Sequence, residues 1–444
     1  MTTLPRWITL ITLLLRVANL RAQPQPGTLL WTVDIGRTIM ASPAIAPDGT
    51  LYLSSDTAMY AITNNGSSAS NAWSFPVSLP GSPAVGLDGT VYVNSEGSLI
   101  AVNPDGSRKW TFSSDSGSLS VPPAIGLDNT LYFLAGGSLY AILPVGTKKW
   151  EISLDVTGMG YQAPVIGTDG TICVGLQRTL YAFNPDGTIK WSGTYYGNGT
   201  ESPAIGSDGT VYFSARQLYA FTPKGTNLWA VDQPIFDGSP VVGKSGTIYA
   251  SAWASHTLYA ITPDGQVAWH ALFGSDTRTI STAATVDDAG TIYYCASNQI
   301  SALNPQGQVQ WTIQGRPPAI GTEGANTSPV IGADGTLYAA LDTTLYAIAG
   351  TNPPPSSGWP MYRQNARHTG KVEKPALKQP KKRADANFEF QLYAQLGQTN
   401  VIESTTNLNT WTSLTSIVVT TVPQPVVDLT ASNAPTRHYR TIAP

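Results

Sequence analysis

The sequence predicts an all-β protein: an eight-bladed β-propeller closed by an N-terminal strand and followed by a small C-terminal β module. Composition gives the first indication, because only 12% of the 444 residues are charged, while 42 Gly, 33 Pro and 20 Tyr suit short strands joined by tight turns. Periodicity gives the second. A phrase that begins as SPAIAPDGTLY at Ser42 returns in eight copies, about 41 residues apart. Pro and Gly in every segment exclude a helical solenoid of similar period.

Each copy contains four short apolar segments, as the four antiparallel strands of one blade require. An Asp-Gly pair such as Asp88-Gly89 separates the first two segments and predicts a hairpin, because both residues tolerate positive φ. Asn-Pro-Asp-Gly at 103–106 predicts a turn between the third and fourth. One Trp per unit recurs at a single blade position and is expected to pack: Trp31, Trp73, Trp110, Trp150, Trp191, Trp229, Trp269 and Trp311.

The order of these segments predicts how the ring closes. Trp31 precedes the first SPAI segment, whereas the eighth triplet of segments, 328–348, has no Trp segment after it at the usual spacing. We therefore expect the strand around Leu29–Val33 to complete the last blade, which gives eight blades over residues 27–350. A single blade cannot bury both of its faces, so the ring has to close.

The N-terminus has the pattern of a secretory signal peptide over residues 1–22. Arg6 precedes the apolar run Trp7–Leu15, which has nine residues and is too short to span a bilayer. We expect cleavage after Ala22, export to the periplasm or the extracellular space, and no transmembrane segment in the mature chain. No Cys lies close to the cleavage site, so no lipid anchor is expected.

Two phrases, SPAVGLDGTVYV (82–93) and LYAFNPDG (180–187), resemble the pyrroloquinoline-quinone-dehydrogenase-like (PQQ-like) repeats of exported bacterial proteins. The resemblance implies a propeller over 27–350 and raises the question of a quinone cofactor. The quinoprotein dehydrogenases have adjacent cysteines beside the quinone, whereas Cys173 and Cys295 lie 122 residues apart. We therefore expect no PQQ and no other cofactor. The two cysteines fall on the second strands of blades four and seven, roughly three-eighths of a turn apart. A disulfide needs Cα atoms within about 7 Å, so both cysteines are predicted to be free, buried thiols.

Composition changes after the last repeat. The segment 351–370 contains WPMYRQNARHTG, which resembles a segment found beside such repeats, and we expect it to pack against the ring as a closing segment. Residues 371–387, with six basic and two acidic side chains, are predicted to be an extended, solvated linker. Residues 388–444 again have the pattern of short strands and are predicted to form the small β module.

The sequence offers little for catalysis. Its net charge is −3 and its basic residues concentrate in 1–22 and 371–387, so an acidic propeller is not expected to bind nucleic acid. The four His residues are spread along the chain at 256, 270, 368 and 438, and none has a partner at metal-ligand spacing. No nucleophile elbow, P-loop or dinucleotide fingerprint is present. We interpret the repeated Asp-Gly-Thr as turns, and we predict no metal site and no catalytic residues.

The loops on one face of the propeller vary, and binding sites usually reside in such loops on a rigid scaffold. The face with the Asp-Gly-Thr and Pro-Asp-Gly turns (the turn face) is nearly uniform, whereas the opposite face (the variable face) differs from unit to unit. Tyr195, Tyr196, Arg216, Trp253 and His256 are predicted to form one patch. The candidate binding residues of this face are Arg37, Asp56, Glu96, Tyr161, Arg178, Tyr195, Tyr196, Glu201, Arg216, Asp237, Trp253, His256, Arg278, Arg316 and Glu323.

These observations favour a monomeric, exported, non-enzymatic binding or scaffold propeller whose partner is a protein or a glycan. Two alternatives remain open, an enzyme that acts on polysaccharide from the central channel and a PQQ-dependent dehydrogenase. Of the residues that precede the first segment of each blade, only Glu201 is charged, which is little material for acid–base chemistry between two groups.

Overall fold

The structure is a computed structural model in which eight small antiparallel sheets form a ring of eight blades. The described residues are 24–114, 121–126, 128–154, 162–176, 178–197, 199, 201–252, 255–273, 282–315, 327–355, 360–365, 368–370, 376–382, 388–393, 399–405, 412–418, 424–428 and 438–442. No helix in these ranges is long and apolar enough to cross a bilayer.

The four strands of each blade follow one another in the sheet, from the innermost to the outer one. The innermost strands are Ala44–Ile45, Ala84–Val85, Ala124–Ile125, Val165–Ile166, Ala204–Ile205, Val241–Val242, Thr285–Val286 and Val330–Ile331. The second strands are Leu51–Ser54, Val91–Ser95, Leu131–Ala135, Ile172–Leu176, Ile248–Ala252, Ile292–Ala296 and Leu337–Leu341. The third strands are Ala58–Asn64, Ser98–Val102, Ser138–Ile142, Thr179–Phe183, Thr257–Ile261, Gln299–Leu303 and Thr344–Ile348. In blade 5 one continuous strand, Val211–Phe221, takes both places.

The outer strands are Ala69–Pro76, Arg108–Ser113, Lys148–Ser153, Ile189–Thr194, Asn227–Phe236, Val267–Leu272, Val309–Gln314 and, for blade 8, Leu29–Asp34. Burial falls across each blade. In blade 3 all five residues of the third strand are buried, whereas the outer strand alternates between exposed and half-buried residues. The apolar residues of the inner strands therefore form the cores between blades, and the outer strands face solvent.

The ring closes as predicted. Leu29–Asp34 pairs antiparallel with Thr344–Ile348 of blade 8, with Trp31 opposite Ala347. The Gly27 amide also donates to the Ala349 carbonyl at 2.8 Å, and the Ala349 amide donates to Thr28 at 2.8 Å. Two segments more than 300 residues apart in sequence thus share one sheet, and the edge that an open propeller would expose is paired.

Serine hydroxyls connect neighbouring blades around the central axis. The Ser42 amide donates to Ser82 Oγ at 3.1 Å, and the Ser202 amide donates to Ser239 Oγ at 3.1 Å. The same bond crosses the closure, where the Ser328 amide donates to Ser42 Oγ at 3.0 Å. The first residue of the repeated Ser-Pro phrase is therefore used to satisfy a buried amide of the adjacent blade.

The recurring Trp residues pack between blades, as predicted. The Nε1 of Trp73 donates to the Pro104 carbonyl in the next blade at 2.9 Å, and Trp110 makes the equivalent bond to Pro144 at 2.9 Å. The indole ring lies against the Gly of the same turn, where a Cβ on Gly106 would approach the Trp73 ring to 2.8 Å. Only Gly fits, since that residue also has a φ of +88°.

The small C-terminal β module consists of two three-stranded sheets. In one, Ala376–Lys382 and Gln424–Asp428 flank Phe388–Tyr393; in the other, Thr412–Val418 and His438–Ile442 flank Thr399–Thr405. Leu392, Ile402 and Val426 form its apolar cluster. Tyr439 donates from its hydroxyl to Asp428 at 2.9 Å.

Part of the predicted linker 371–387 is a strand, which corrects the sequence prediction. Ala376–Lys382 pairs antiparallel with Phe388–Tyr393 and lies at the edge of its sheet. The register shifts between Lys378 and Lys381, so Pro380 falls at the irregularity, where its missing N–H is tolerated. Lysines on an edge strand also discourage pairing with another chain. A Lys- and Pro-rich composition therefore fits a protected edge strand as well as a linker.

The indole N–H of Trp110 is expected to stabilise the ring through its bond to Pro144. Replacing Trp110 by its benzothiophene analogue keeps the shape and removes the donor, and we expect a loss of about 1 kcal/mol in the free energy of unfolding. Trp31 is the matched control, because its Nε1 is buried without a partner among the described residues. The same replacement there should be neutral or stabilising. Equal losses at both positions in chemical denaturation would contradict this role for the bond.

Candidate functional site

The central channel between the innermost strands is filled by two described stretches of the chain, residues 360–365 and 368–370. Met361, Arg363, His368 and Thr369 are each exposed by 1% or less. The Ile125 amide donates to the Thr369 carbonyl at 2.9 Å, and the Ile166 amide donates to Gly370 at 2.6 Å. We call residues 360–365 and 368–370 the channel segment. Its backbone supplies partners for inner-strand amides that would otherwise face the channel.

The channel segment is reached from the turn face. After blade 8, the Pro353 carbonyl accepts from the Asp288 amide in a turn of blade 7 at 2.9 Å. The Thr351 amide donates to the Tyr293 hydroxyl at 3.0 Å. The Pro360 carbonyl then accepts from Val286, in the innermost strand of blade 7, at 2.7 Å. All three contacts are to blade 7, so the chain passes from blade 8 to the innermost strand of blade 7.

Arg363 is a buried cation that bonds to two blades at once. Its Nη1 donates to the Pro164 carbonyl of blade 4 at 2.5 Å, and its Nη2 donates to the Pro123 carbonyl of blade 3 at 2.6 Å. Both carbonyls belong to prolines, which interrupt the amide ladder at the start of the innermost strand. Burial lowers the pKa of Arg363 to about 10, so the guanidinium stays charged at neutral pH.

His368 and Tyr362 complete this buried cluster. The rings lie 5.4 Å apart in an edge-on arrangement, and His368 Nδ1 is 3.2 Å from the Pro83 carbonyl of blade 2. Burial, and next the charge of Arg363, lower the pKa of His368 to about 3. The imidazole is therefore neutral at pH 7, and the Nδ1–H tautomer can donate to Pro83. Burial also raises the pKa of Tyr362, whereas the nearby Arg363 opposes that rise.

The residues of the channel do not fit a quinone cofactor. The Arg363 guanidinium and the His368 ring occupy the space between the prolines of blades 2, 3 and 4. Cys173 and Cys295 are both free and buried, in blades 4 and 7, as predicted. Among the described residues, no group of His, Cys, Asp or Glu side chains could hold a metal ion.

Glu201, the charged residue before an innermost strand, is half-buried and bonded. Its Oε2 accepts from Ser239 Oγ of the next blade at 2.9 Å. The same Oγ accepts the Ser202 amide, so Glu201 extends the serine connections around the axis. Its carboxylate also contributes to the raised pKa of the Tyr362 hydroxyl. Glu201 thus lies at the variable-face end of the channel, close to the channel segment.

Two residues of the predicted five-residue patch, Tyr196 of blade 4 and Arg216 of blade 5, lie side by side in the structure. Tyr196 is 60% exposed, and the Arg216 guanidinium lies 5.8 Å from the centre of its ring. Arg216, with a φ of +66°, lies within Val211–Phe221 of blade 5, where the chain reverses between the second and third strand positions. The Tyr219 hydroxyl accepts from the Tyr196 amide at 2.9 Å and holds the loop. The structure brings Tyr196 and Arg216 together as an exposed pair.

Tyr195 does not belong to this exposed pair, which corrects its predicted exposure. The side chain is only 6% exposed, and its ring packs on Phe213 with the ring centres 4.6 Å apart. Burial raises the pKa of Tyr195 well above its ordinary value. Because side chains alternate along the loop, the ring before Tyr196 points into the core and supports it.

The remaining candidates are distributed around the ring. Arg37, Glu96 and Arg178 are exposed, while Asp56, Asp237 and His256 are half-buried. Several act through their backbone: the Asp56 carbonyl accepts from Leu79, and the His256 carbonyl accepts from Phe273, both at 2.8 Å. Outside the described residues lie Tyr161, Trp253, Arg278, Arg316 and Glu323.

The sequence analysis did not predict one feature of the variable face, its exposed apolar residues, and one feature of the channel, the segment that enters it. Met40 and Leu79, in the loops that precede blades 1 and 2, are 55% and 58% exposed. Leu79 also has a φ of +43°, which is unusual for a bulky residue. In the channel, the signal was the phrase MYRQNARHTG, whose Arg and His lie in no repeat. A unique segment after eight repeats was the available hint.

The fold and the repeats define the class of protein, a PQQ-like β-propeller repeat protein. The chain belongs to the family described as outer membrane protein assembly factor BamB, whose model matches residues 18–158 and 214–352. Among solved structures, BamB from Moraxella catarrhalis is similar with a TM-score of 0.58 and 17% identity, over 73% of this chain and 99% of that chain.

Other similar structures are more distant. A virginiamycin B lyase from Staphylococcus aureus has a TM-score of 0.47 and 15% identity, over 61% of this chain and 95% of that chain. No protein of curated function matches the sequence significantly. The family therefore rests on the matching family model, and the likeness of fold rests on the BamB structure.

The neutral, buried His368 should make the stability of the propeller depend on pH. Its folded pKa of about 3 lies below the unfolded value of about 6.5, so its contribution is fully present above pH 6.5 and is lost as pH falls toward 3. Between pH 6 and 4 we expect this one group to remove about 1.4 kcal/mol per pH unit. Chemical denaturation at pH 7 and 5 measures the loss.

The matched comparison uses two variants. His368→Gln should lower stability at pH 7 and show a smaller loss between pH 7 and 5 than the parent. His270→Gln, at an exposed position of the outer strand of blade 6, should keep the parent's profile. An unchanged pH profile in His368→Gln would mean that other groups cause the acid lability.

Proposed function

We propose that this protein is an exported, non-enzymatic scaffold that binds a protein partner through the variable face of its propeller. The observation that carries the proposal is the filled channel. Arg363 and His368 occupy the place where a propeller enzyme would hold its substrate, and they make structural bonds to blades 2, 3 and 4. Among the described residues, the variable face is left as the surface available for recognition.

The chemistry of that face suits a protein partner. Tyr and Arg are enriched among residues that dominate binding energy at protein interfaces. Tyr196 of blade 4 and Arg216 of blade 5 form an exposed pair, and the bond from the Tyr196 amide to the Tyr219 hydroxyl already orders the loop, which reduces the conformational entropy lost on binding. Met40 and Leu79 add exposed apolar area on blades 1 and 2. Membership of the BamB family, described by its role in outer membrane protein assembly, supports a protein rather than a glycan.

Export is part of the proposal. Residues 1–22 have the pattern of a signal peptide but lie outside the described residues, and the family description points to the cell envelope. We expect the exported chain to begin near Gln23. N-terminal sequencing of the protein from an envelope fraction measures this, and an intact Met1 there would contradict it.

The variable face is tested by photocrosslinking from defined positions. A photoreactive phenylalanine at Tyr196, in the full chain expressed in a cell that exports it, should crosslink to a discrete protein partner. The matched control is Val145, which is 72% exposed in a turn on the opposite face. We expect no discrete product from Val145. Products from both positions, or a glycan adduct from Tyr196, would contradict a protein site on the variable face.

A substitution tests the energetic role of the same residue. Once the crosslinked partner is purified, Tyr196→Ala should weaken its binding about tenfold or more, which corresponds to about 1.4 kcal/mol. Its melting temperature should stay close to that of the parent, because exposed substitutions cost about 0.5 kcal/mol or less. Val145→Ala is the control and should bind like the parent. A loss of affinity that tracks a loss of stability would mean that Tyr196 is only structural.

A further inference from the structure

Seven of the eight blades contain the same aromatic pair on their turn-face side. A Tyr in the second strand packs against the Trp of the outer strand, with ring centres 5.7–6.0 Å apart. The Tyr residues are Tyr52, Tyr92, Tyr132, Tyr212, Tyr249, Tyr293 and Tyr338. The pair is thus a constant part of the blade.

Blade 4 lacks the Tyr. The equivalent position of its second strand is Cys173, which pairs with Val165 as Tyr132 pairs with Ala124 in blade 3. Trp191, which should face the Tyr, instead stacks on Phe221 of blade 5 at 6.4 Å. A thiol is far smaller than a phenol ring, so the substitution removes most of one side chain from the core.

The missing ring leaves a cavity. A space of about 190 Å³ lies between blades 4 and 5, and Cys173, Trp191, Ile205 and Val211 line its apolar part. The turns of the two blades, with Asp169 and Asp208, form its mouth on the turn face. A cavity of about 150 Å³ with apolar walls is large enough to bind benzene.

The neighbouring blades fix where a ring would lie. In blades 3 and 5 the Tyr ring covers a Gly, and a Cβ on that Gly would approach ring carbons of Tyr132 and Tyr212 to 3.2 and 3.3 Å. At the equivalent Gly167 the nearest apolar atom to such a Cβ is Ile205 Cδ1 at 3.9 Å. The space beside Gly167 therefore has the position of a tyrosine ring.

The polar end of the cavity matches a phenol hydroxyl. In blades 2 and 3 a Thr hydroxyl bonds to the Tyr hydroxyl and lowers its pKa, against the larger effect of burial. Thr171 holds that place in blade 4, and Lys190 Nζ lies 2.8 Å from Thr171 Oγ1 and 2.8 Å from Asp169 Oδ2. Although burial opposes it, bonding to Lys190 and Thr171 lowers the pKa of Asp169 to about 2. A carboxylate acceptor and two polar side chains thus surround the expected position of the hydroxyl.

We propose that the cavity between blades 4 and 5 binds a small phenolic ring, which takes the place of the tyrosine that blade 4 lacks. The ring packs between Trp191, Ile205 and Val211, and its hydroxyl reaches Thr171 and Asp169. Binding is reversible, because a phenol carries no group that reacts with the Cys173 thiol, whose pKa burial raises to about 12. The site is on the turn face and is independent of the partner surface around Tyr196.

The probe is p-cresol, which is the tyrosine side chain itself, titrated into the full chain by calorimetry and ligand-detected NMR. We expect one equivalent to bind and to raise the melting temperature. Cys173→Tyr fills the cavity with the residue of the other blades, and it should bind at least tenfold more weakly while melting higher than the parent. Cys173→Ala keeps the cavity and should bind like the parent.

A matched variant tests whether the geometry alone creates the site. Tyr132→Cys makes the same vacancy in blade 3, and we expect it to take up a second equivalent of p-cresol. Toluene should bind more weakly than p-cresol, by about fivefold, because it leaves Thr171 and Asp169 without the hydroxyl. N-acetyltyrosinamide distinguishes two sources of the ring: if it binds as tightly as p-cresol, the ligand is a tyrosine of a peptide, and if it is excluded, the ligand is a free phenol.

Three results would overturn the proposal. One is the absence of p-cresol binding to the folded parent at millimolar concentration. Another is binding of equal strength to the parent and to Cys173→Tyr, with the fold of the variant verified by circular dichroism. Loss of p-cresol binding in Tyr196→Ala, which changes the variable face, would also place the ring elsewhere and contradict the proposal.

Discussion

The structure depends on the contact in which the indole of one blade rests on the turn of the next. The ring of Trp73 lies against Gly106, and its N–H bonds to the Pro104 carbonyl; the same geometry repeats from Trp110 to Trp269. This contact requires a Trp in one unit together with a Pro and a Gly with positive φ in the next. It sets the distance between blades, and blade spacing in turn decides how many blades close a ring and what fits between them.

The central channel of the ring requires hydrogen-bond partners for the backbone groups that face it. Eight innermost strands leave buried carbonyls and amides around one axis, and unpaired polar groups there would be costly. The chain supplies its own partners: Arg363 for two proline carbonyls, and Thr369 and Gly370 for two amides. The buried Arg363 guanidinium bonds to two carbonyl oxygens and not to a carboxylate in these contacts. Hydrogen bonds from a charged donor are strong, so the two carbonyls stabilise the buried charge. The centre is therefore a structural element, and recognition is left to the faces.

Departures from the repeat identify the two surfaces of interest. On the variable face, Val211–Phe221 of blade 5 takes the place of two separate strands, and its Arg216 lies beside Tyr196 of blade 4. On the turn face, Cys173 replaces a Tyr and leaves the cavity beside Trp191. In a repeat protein the constant positions describe the scaffold, so a blade that breaks the pattern without losing its fold is where a specific property can reside.

The sequence by itself determined the blade, the number of blades and the closing strand, because turn chemistry and Trp spacing are local and repeat eight times. It also indicated a C-terminal β module, although the strand Ala376–Lys382 could not be separated from a linker by composition. Only the tertiary structure decided that Arg363 and His368 fill the channel, that Tyr195 is buried while Tyr196 is exposed, and that Cys173 leaves a cavity. Each of these depends on which blade or segment packs against which, and contacts between residues 18 to 285 positions apart leave no local pattern in the chain.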